Sequence, residues 1–133
     1  MTTLTIIRGL PGSGKSTYAQ KNFKNAVHLE ADMYFVDESG EYKFNVALLS
    51  QAHKWCQNAT KYYLDKGQDV VVSNTFTTCK EINPYLLIAK KANADFDVIR
   101  LDSQFGSVHN VPDETIEKMR GRFVDFEGEN IVK

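Results

Sequence analysis

The chain has 133 residues, of which 42% are hydrophobic and 25% are charged, and its formal net charge is −1. This length fits one domain, residues 1–133, whose core needs no disulfide or metal to be stable. The nearly balanced charge excludes an evenly basic nucleic-acid coat, although a local basic groove remains compatible with it.

The first half of the chain predicts two strands, a helix between them and a second, longer helix. Short β-branched apolar runs indicate the strands, and apolar residues three and four apart indicate the long helix. A polar turn at 38–41 lies between two aromatic runs and predicts a hairpin-like excursion. The predicted elements are a strand at 4–8, a helix at 15–23, a strand at 27–30, the excursion at 34–44, and a helix from its cap Asn45 to about Lys66.

The second half predicts two further strands, each followed by a helix. Thr78 and Glu81 have the spacing of a capping box, and Pro84 is expected to start the main helix that follows. The last helix is expected to begin near Pro112, and its order of acidic before basic residues suits the helix dipole. The predicted elements are a strand at 69–74, a helix at about 84–93, a strand at 97–102, a polar segment at 103–110, the last helix, and a tail at 123–133 without a predicted element.

Strands that alternate with helices predict an α/β fold, a parallel β-sheet with helices on both faces. Ligands of such sheets bind beyond the carboxyl ends of the strands, so functional residues are expected directly after each predicted strand. No apolar run reaches the roughly 20 residues that span a bilayer, and a signal-peptide pattern is absent. Cys56 and Cys79 are therefore predicted to stay reduced in the cytoplasm. The three histidines show no metal-ligand spacing.

A glycine-rich segment between the first strand and the first helix fits the Walker A pattern GxxxxGK[ST] completely. Its glycines let backbone N–H groups point at phosphate oxygens, and the helix N-terminus adds partial positive charge. Lys15 is the expected partner of the β- and γ-phosphates, and the Ser16 hydroxyl is the expected ligand of Mg²⁺. The alternative is a glycine-rich turn without a ligand. The pattern predicts a P-loop for a nucleoside triphosphate, formed by Gly9, Leu10, Pro11, Gly12, Ser13, Gly14, Lys15, Ser16 and Thr17.

Segments beyond the P-loop follow the order found in one group of small kinases. They are residues 30–35, 42–44, 52–55, 73–75, 83–85 and 109–112, followed by Ile116, Met119, Arg122 and Phe123. From about Leu4 to Phe123, the chain resembles the ATP-binding domains grouped with the kinase domain of polynucleotide 5′-hydroxyl kinases. The resemblance implies the fold of a P-loop NTPase, with ATP and Mg²⁺ as cofactors and a hydroxyl group as the phosphate acceptor.

The resemblance assigns Asp32 the role of general base, which orients and deprotonates the acceptor hydroxyl. The alternative is a surface aspartate at a strand end. Asn74 stands where the kinases resembled carry an acidic residue, so the Walker B pattern is missing after the third strand. The amide of Asn74 is suited to holding an acceptor or a Mg²⁺-bound water. Asp102 ends another apolar strand and is either the missing carboxylate or an ordinary strand-end residue.

The kinases resembled carry a lid helix whose arginines clamp the phosphoryl group in transit. Here the shorter segment 103–108 takes its place, with Gly106 at the position of the expected arginine. Arg120 and Arg122 follow the segment and either substitute for the clamp or favour the helix C-terminus. Arg122 is preferred, because the relatives also place an arginine there. The predicted catalytic residues are Lys15, Asp32 and Arg122, and the predicted metal ligand is Ser16.

These patterns predict a P-loop kinase, a transferase that binds ATP–Mg²⁺ and moves the γ-phosphate to a hydroxyl. The favoured acceptor, on resemblance alone, is a nucleic-acid 5′-end or a nucleotide. A small-metabolite kinase is a second hypothesis, and its activity would not depend on polynucleotide length or on salt. A third is a nucleotide-binding regulatory module with slow or no hydrolysis, which signals through a protein partner. The missing lid arginine and Walker B carboxylate favour this module, whereas the retained Asp32 speaks against it.

Overall fold

A computed structural model describes residues 2–102 and 113–132 of the chain. The strands in these ranges are β1 (Thr3–Arg8), β2 (Val27–Leu29), β3 (Val70–Asn74), β4 (Asp95–Leu101) and β5 (Asn130–Val132). The helices are α1 (Lys15–Asn22), α2 (Leu49–Asp65), α3 (Cys79–Lys91) and α4 (Asp113–Arg122). The strands form one parallel sheet in the order β2-β3-β1-β4-β5. The predicted α/β class is confirmed.

Successive side chains of the central strand β1 contact two different cores, because they point to opposite faces of the sheet. Ile6 belongs to the larger core, together with Cys56 of α2 and Ile82 of α3. Ile7 belongs to the second core, together with Ala19 of α1. Helices therefore cover both faces, and the carboxyl end of β1 lies in the middle of the sheet.

The chain between β2 and α2 makes the predicted excursion. It begins with a 3-10 turn, Ala31–Phe35, and continues to an antiparallel bridge between Val36 and Tyr42. The side chain of Asn45 accepts a hydrogen bond of 3.0 Å from the backbone N–H of Ala47. Asn45 thus caps a short 3-10 turn that leads directly into α2.

The start of α3 differs from the prediction. The expectation that Pro84 begins the main helix is wrong, because α3 begins at Cys79 and contains Pro84 in its interior. Its start is the predicted capping box, in which the Glu81 carboxylate accepts a hydrogen bond of 2.9 Å from the backbone N–H of Thr78. The proline removes a single hydrogen bond, the one to the carbonyl of Lys80, and the capped helix continues through it.

The tail, for which the sequence predicts no element, contains the edge strand β5. It pairs in parallel with β4, and the backbone N–H of Asp102 donates to the carbonyl of Val132 at 2.9 Å. A strand of three residues is too short to show an alternating apolar pattern, so its place in the sheet depends on the contacts of the residues before it.

Arg8, the last residue of β1, makes those contacts with a fully buried side chain. Its guanidinium donates two hydrogen bonds to the carbonyl of Phe76, at 3.0 and 2.7 Å, and one to the Glu129 carboxylate at 2.8 Å. It also lies 4.2 Å from the ring centroid of Phe123, and Arg100 lies 4.5 Å from the same ring. These contacts join the tail to β1 and to the loop after β3.

Three predicted features lie outside the described residues, namely the polar segment at 103–110, the expected lid position Gly106 and the helix start at Pro112. Within the described ranges, no helix has both the length and the apolar character needed to cross a membrane.

The Arg8–Glu129 pair is expected to stabilise the whole domain, because its side chains are 0% and 5% exposed. Replacing Glu129 by alanine leaves a buried guanidinium without its carboxylate, so we expect Glu129→Ala to lower the free energy of unfolding by about 3 kcal/mol. Urea denaturation measures the loss, and Glu127→Ala, at an exposed position of the same segment, is the control. Equal stability of the two variants would contradict a stabilising role for this pair.

Candidate functional site

The P-loop connects the carboxyl end of β1 to the first turn of α1. Gly12 and Gly14 have φ angles of 84° and 87°, in the left-handed region that glycine tolerates best. The backbone N–H of Ser13 donates to the carbonyl of Leu10 at 3.1 Å, and the Lys15 ammonium donates to the same carbonyl at 3.0 Å. The loop thus holds Lys15 folded back over its own turn, where a phosphate ligand is expected.

Gly9 is required at the start of the loop because there is no space for a side chain. A Cβ atom built on Gly9 would lie 2.4 Å from the Ser13 hydroxyl oxygen and 2.9 Å from the carbonyl oxygen of Leu101. Its backbone N–H donates to the carbonyl of Thr75 at 3.2 Å. The P-loop is therefore packed against the segment that follows β3 and against the last residue of β4.

A carboxylate that the sequence prediction did not include lies beside the P-loop. Glu30 follows β2, and its carboxylate accepts hydrogen bonds from the Ser16 hydroxyl and, at 2.7 Å, from the Ser73 hydroxyl. The His28 ring nitrogen Nε2 lies 3.3 Å from the same carboxylate oxygen and 2.6 Å from the Ser73 hydroxyl. Burial raises the pKa of Glu30, but the hydrogen bonds from His28, Ser16 and Ser73 outweigh it and lower the pKa to about 2.

Lys15 lies within electrostatic reach of two carboxylates. Burial lowers the pKa of Lys15 to about 8, while the charges of Glu30 and Asp32 act in the opposite direction and raise it. The structure therefore brings together Lys15, Ser16 and Asp32 of the predicted site, with Glu30 added. The carboxyl ends of β1 and β2 supply this cluster of one ammonium, one hydroxyl and two carboxylates.

Asp32 lies in the 3-10 turn that follows β2. Its carboxylate accepts a hydrogen bond of 3.3 Å from the Tyr42 hydroxyl, which belongs to the second arm of the excursion. Burial and the charge of Asp32 raise the pKa of Tyr42 to about 12. The Asn74 carboxamide oxygen accepts a hydrogen bond of 2.9 Å from the backbone N–H of Ala31, so the end of β3 supports the turn that carries Asp32.

The remaining predicted residues lie at the ends of other elements. Arg122 is exposed at the last residue of α4, and its role in catalysis stays a prediction. Arg120 lies 3.3 Å from the Glu117 carboxylate one turn earlier, the geometry of an ordinary helix-surface pair. Asp102 is exposed beyond β4. Glu30, Ser73 and Tyr42 were missed as site residues, although a carboxylate two positions before Asp32, at a strand end, was the available signal for Glu30.

A magnesium ion fits the chemistry of the P-loop end of this cluster. Mg²⁺ prefers oxygen ligands and binds through one or two protein groups together with substrate phosphates. The Ser16 hydroxyl is such a ligand, and it lies at the start of α1 where phosphates are expected. Within the described residues, no group of three or more His, Cys, Asp or Glu side chains has the arrangement of a metal cluster.

The parallel sheet, the glycine-rich turn at its central strand and the lysine at the helix start define a P-loop domain of the kinase-like type. A family model described as an AAA domain matches residues 4–105 of the chain. Since this match spans more than half of the chain, the chain belongs to that family.

Two relatives in sequence are an uncharacterized protein of Pasteurella multocida and the human NEDD4-binding protein 2. The bacterial protein is 34% identical over 135 aligned residues, which cover 90% of this chain and 75% of the relative. The human protein is 38% identical over 92 residues, which cover 66% of this chain. The chain spans only 5% of the length of the human relative.

Solved structures of low sequence identity share the fold. A chain of the Pnkp1/Rnl/Hen1 RNA repair complex has a TM-score of 0.72 and 19% identity, and the match covers 92% of this chain and 44% of that one. A sugar kinase from Janibacter has a TM-score of 0.68 and 14% identity, with 99% and 84% of the two chains covered. The same fold therefore occurs in a chain of an RNA repair complex and in a sugar kinase, and the likeness concerns the fold alone.

The packing around Gly9 gives a direct test of the loop geometry. We expect Gly9→Ala to lower the free energy of unfolding by about 1–3 kcal/mol, because the neighbouring carbonyl of Leu101 has to move. Gly121→Ala is the control, since a Cβ at Gly121 meets no atom within 4 Å and alanine favours a helix. Chemical denaturation compares the two, and a Gly9→Ala protein as stable as Gly121→Ala would contradict the tight packing.

Proposed function

We propose that the chain binds ATP–Mg²⁺ at the P-loop and transfers the γ-phosphate to a hydroxyl acceptor. The observation that carries this proposal is that Lys15 and Ser16, in the first turn of α1, lie near Asp32, in the 3-10 turn after β2. Lys15 is the expected partner of the β- and γ-phosphates, and Asp32 lies close enough for its charge to raise the pKa of Lys15. A phosphate-binding lysine beside a carboxylate is an arrangement suited to phosphoryl transfer to a hydroxyl.

The loop and the first turn of α1 would hold the nucleotide. Backbone N–H groups at the N-terminus of α1 favour the phosphate oxygens, and Lys15 adds a positive charge there. Ser16 would hold Mg²⁺, which when bound neutralises part of the charge that develops on the phosphates. Arg122 is the proposed clamp of the transferring group, since a guanidinium offers a planar fork of donors.

Asp32 would position the acceptor hydroxyl and take its proton as the phosphate is transferred. The Tyr42 hydroxyl fixes one carboxylate oxygen from the excursion, at 3.3 Å. The bond between Asn74 and the backbone of Ala31 fixes the turn itself. Both supports hold the general base in place before an acceptor binds, which reduces the entropy lost on the way to the transition state.

The surroundings of Asp32 support an acceptor that carries a nucleobase. The ring of Tyr42 stacks on Phe44, with centroids 6.5 Å apart and an angle of 19°, and Phe44 is 52% exposed. Exposed aromatic rings are platforms on which bases of nucleotides and single strands stack. A cavity of about 160 Å³ adjoins Asn74, with His53, Gln57 and Lys80 in its lining. These features favour a polynucleotide 5′-end or a nucleotide as the acceptor.

We also propose that the 133 residues form one domain that acts in the cytoplasm. The described strands belong to one sheet, which supports a single domain. Both cysteines are free thiols, and Cys56 is buried between α2 and the sheet, as suits a reducing compartment.

A transfer assay with γ-labelled ATP tests the proposal. We expect label on 5′-hydroxyl DNA or RNA, or on nucleosides, and little on sugars without a base. Label on sugars alone would indicate a small-metabolite kinase. ATP binding without label on any acceptor would indicate a regulatory module, and both results would contradict the proposed acceptor.

Loss of the P-loop lysine is expected to remove ATP binding while the fold survives. Lys15→Ala takes away the positive charge directed at the β- and γ-phosphates, so the rise in melting temperature on adding ATP should disappear or shrink strongly. Lys21→Ala, at an exposed position of the same helix, is the matched control and should keep the full rise. A full ATP-induced rise in Lys15→Ala would place the nucleotide elsewhere.

Loss of the general base is expected to affect transfer and not binding. Asp32→Asn keeps the shape of the side chain but cannot accept the proton, so the rate of transfer should fall by about 10²–10⁴-fold. Asp65→Asn, on the exposed side of α2, serves as control. Rates are compared at saturating ATP together with the Kd for ATP. Transfer by Asp32→Asn at the wild-type rate would make Asp32 a structural residue.

A further inference from the structure

The carboxylate of Glu30 lies where it could replace the Walker B carboxylate that the sequence lacks. At the end of β3, where a strand-end carboxylate is expected to help hold the metal, the chain has the uncharged Asn74. The hydroxyl of Ser16, the expected metal ligand, nevertheless donates a hydrogen bond to a carboxylate, that of Glu30. This carboxylate comes from the neighbouring strand end, since β2 pairs with β3.

β3 supports the carboxylate instead of carrying it. Ser73, the residue directly before Asn74, donates a hydrogen bond of 2.7 Å to the Glu30 carboxylate. His28, two residues before Glu30 on β2, contacts both partners, at 2.6 Å from Ser73 and 3.3 Å from Glu30. Three groups therefore fix Glu30 beside the first turn of α1, and its orientation does not depend on a ligand.

The hydrogen bond leaves Ser16 ready to bind a cation. A serine hydroxyl has one hydrogen to donate and two lone pairs to offer. When the hydrogen points to Glu30, the lone pairs are free for a metal ion on the other side. The nearby carboxylate also adds negative charge and can accept hydrogen bonds from water on the ion, as partners of metal ligands do.

We propose that Glu30 is the residue that positions Mg²⁺ of the ATP–Mg²⁺ complex, acting through Ser16 and through metal-bound water. This inference rests on the proposed function. The inference gives Glu30 the role of the missing Walker B carboxylate, for which Asp102 was the candidate in the sequence. Asp102 is exposed beyond β4, and its backbone N–H donates to the carbonyl of Val132. Asp32, which accepts a hydrogen bond from Tyr42, keeps the role proposed for it toward the acceptor hydroxyl.

The test is the Mg²⁺ dependence of ATP binding, measured by isothermal titration calorimetry with ATP in EDTA and in a series of Mg²⁺ concentrations. Glu30→Gln removes the charge and keeps the size of the side chain. Glu41→Gln is the matched control, because its carboxylate is 66% exposed in the turn of the excursion. Melting temperatures without ligand show whether each variant is folded.

We expect Glu30→Gln to bind metal-free ATP at least as tightly as the wild type, because a negative charge near the phosphates is gone. The Mg²⁺ concentration that gives half of the tightening should rise about 10–100-fold, the usual effect of losing a partner of a metal ligand. Glu41→Gln should match the wild type. A Mg²⁺ dependence in Glu30→Gln equal to that of the wild type would overturn the inference and leave ATP binding intact.

Two further results complete the test. If the wild type binds ATP neither with nor without Mg²⁺, the proposed function fails and this inference fails with it. If Glu30→Gln does not fold, Glu30→Asp decides, because it keeps the charge but withdraws the carboxylate by one methylene. A raised Mg²⁺ requirement in Glu30→Asp supports the assignment, and an unchanged requirement overturns it.

Discussion

A buried charge at the end of the central strand organises this domain. A guanidinium that loses its water must be paired and hydrogen-bonded, or the fold is strongly destabilised. Arg8 meets that requirement with the carbonyl of Phe76, the carboxylate of Glu129 and the ring of Phe123. The loop after β3 and the tail are thereby fixed at the strand from which the P-loop departs. The edge strand β5 follows from this arrangement, since it begins directly after Glu129.

The site depends on a second set of charged side chains, which are only partly buried. One ammonium, that of Lys15, lies near the two carboxylates of Glu30 and Asp32. The hydrogen-bond network around Glu30 keeps that group ionised. A preorganised cluster of this kind needs little rearrangement when a charged ligand binds. The two carboxylates differ in their partners, because Glu30 is held by hydroxyls and by His28, whereas Asp32 is held by a tyrosine. This difference in environment is the physical basis for assigning them different roles.

Membership of the AAA domain family and the kinase-like fold leave the acceptor open, because one fold carries many substrates. The excursion at 34–44 is the part of the described structure on which the proposed acceptor preference rests. It places Tyr42 against Asp32 and leaves the stacked Phe44 exposed. Its aromatic rings and short polar turn were visible in the sequence, but the contact of Tyr42 with Asp32 was not.

The sequence alone determined the parallel α/β fold, the P-loop with Lys15 and Ser16, and the capping box at Thr78, because these depend on residues close together in the chain. The prediction that Pro84 starts a helix was wrong, since a capped helix tolerates the loss of one hydrogen bond. The strand β5 was missed, because three residues are too few to show an alternating apolar pattern. Only the tertiary structure decided that Glu30 contacts Ser16 and Ser73, and that Arg8 pairs with Glu129. These contacts join side chains that are 14, 43 and 121 residues apart, and no local pattern encodes which of many carboxylates the folded chain brings to each partner.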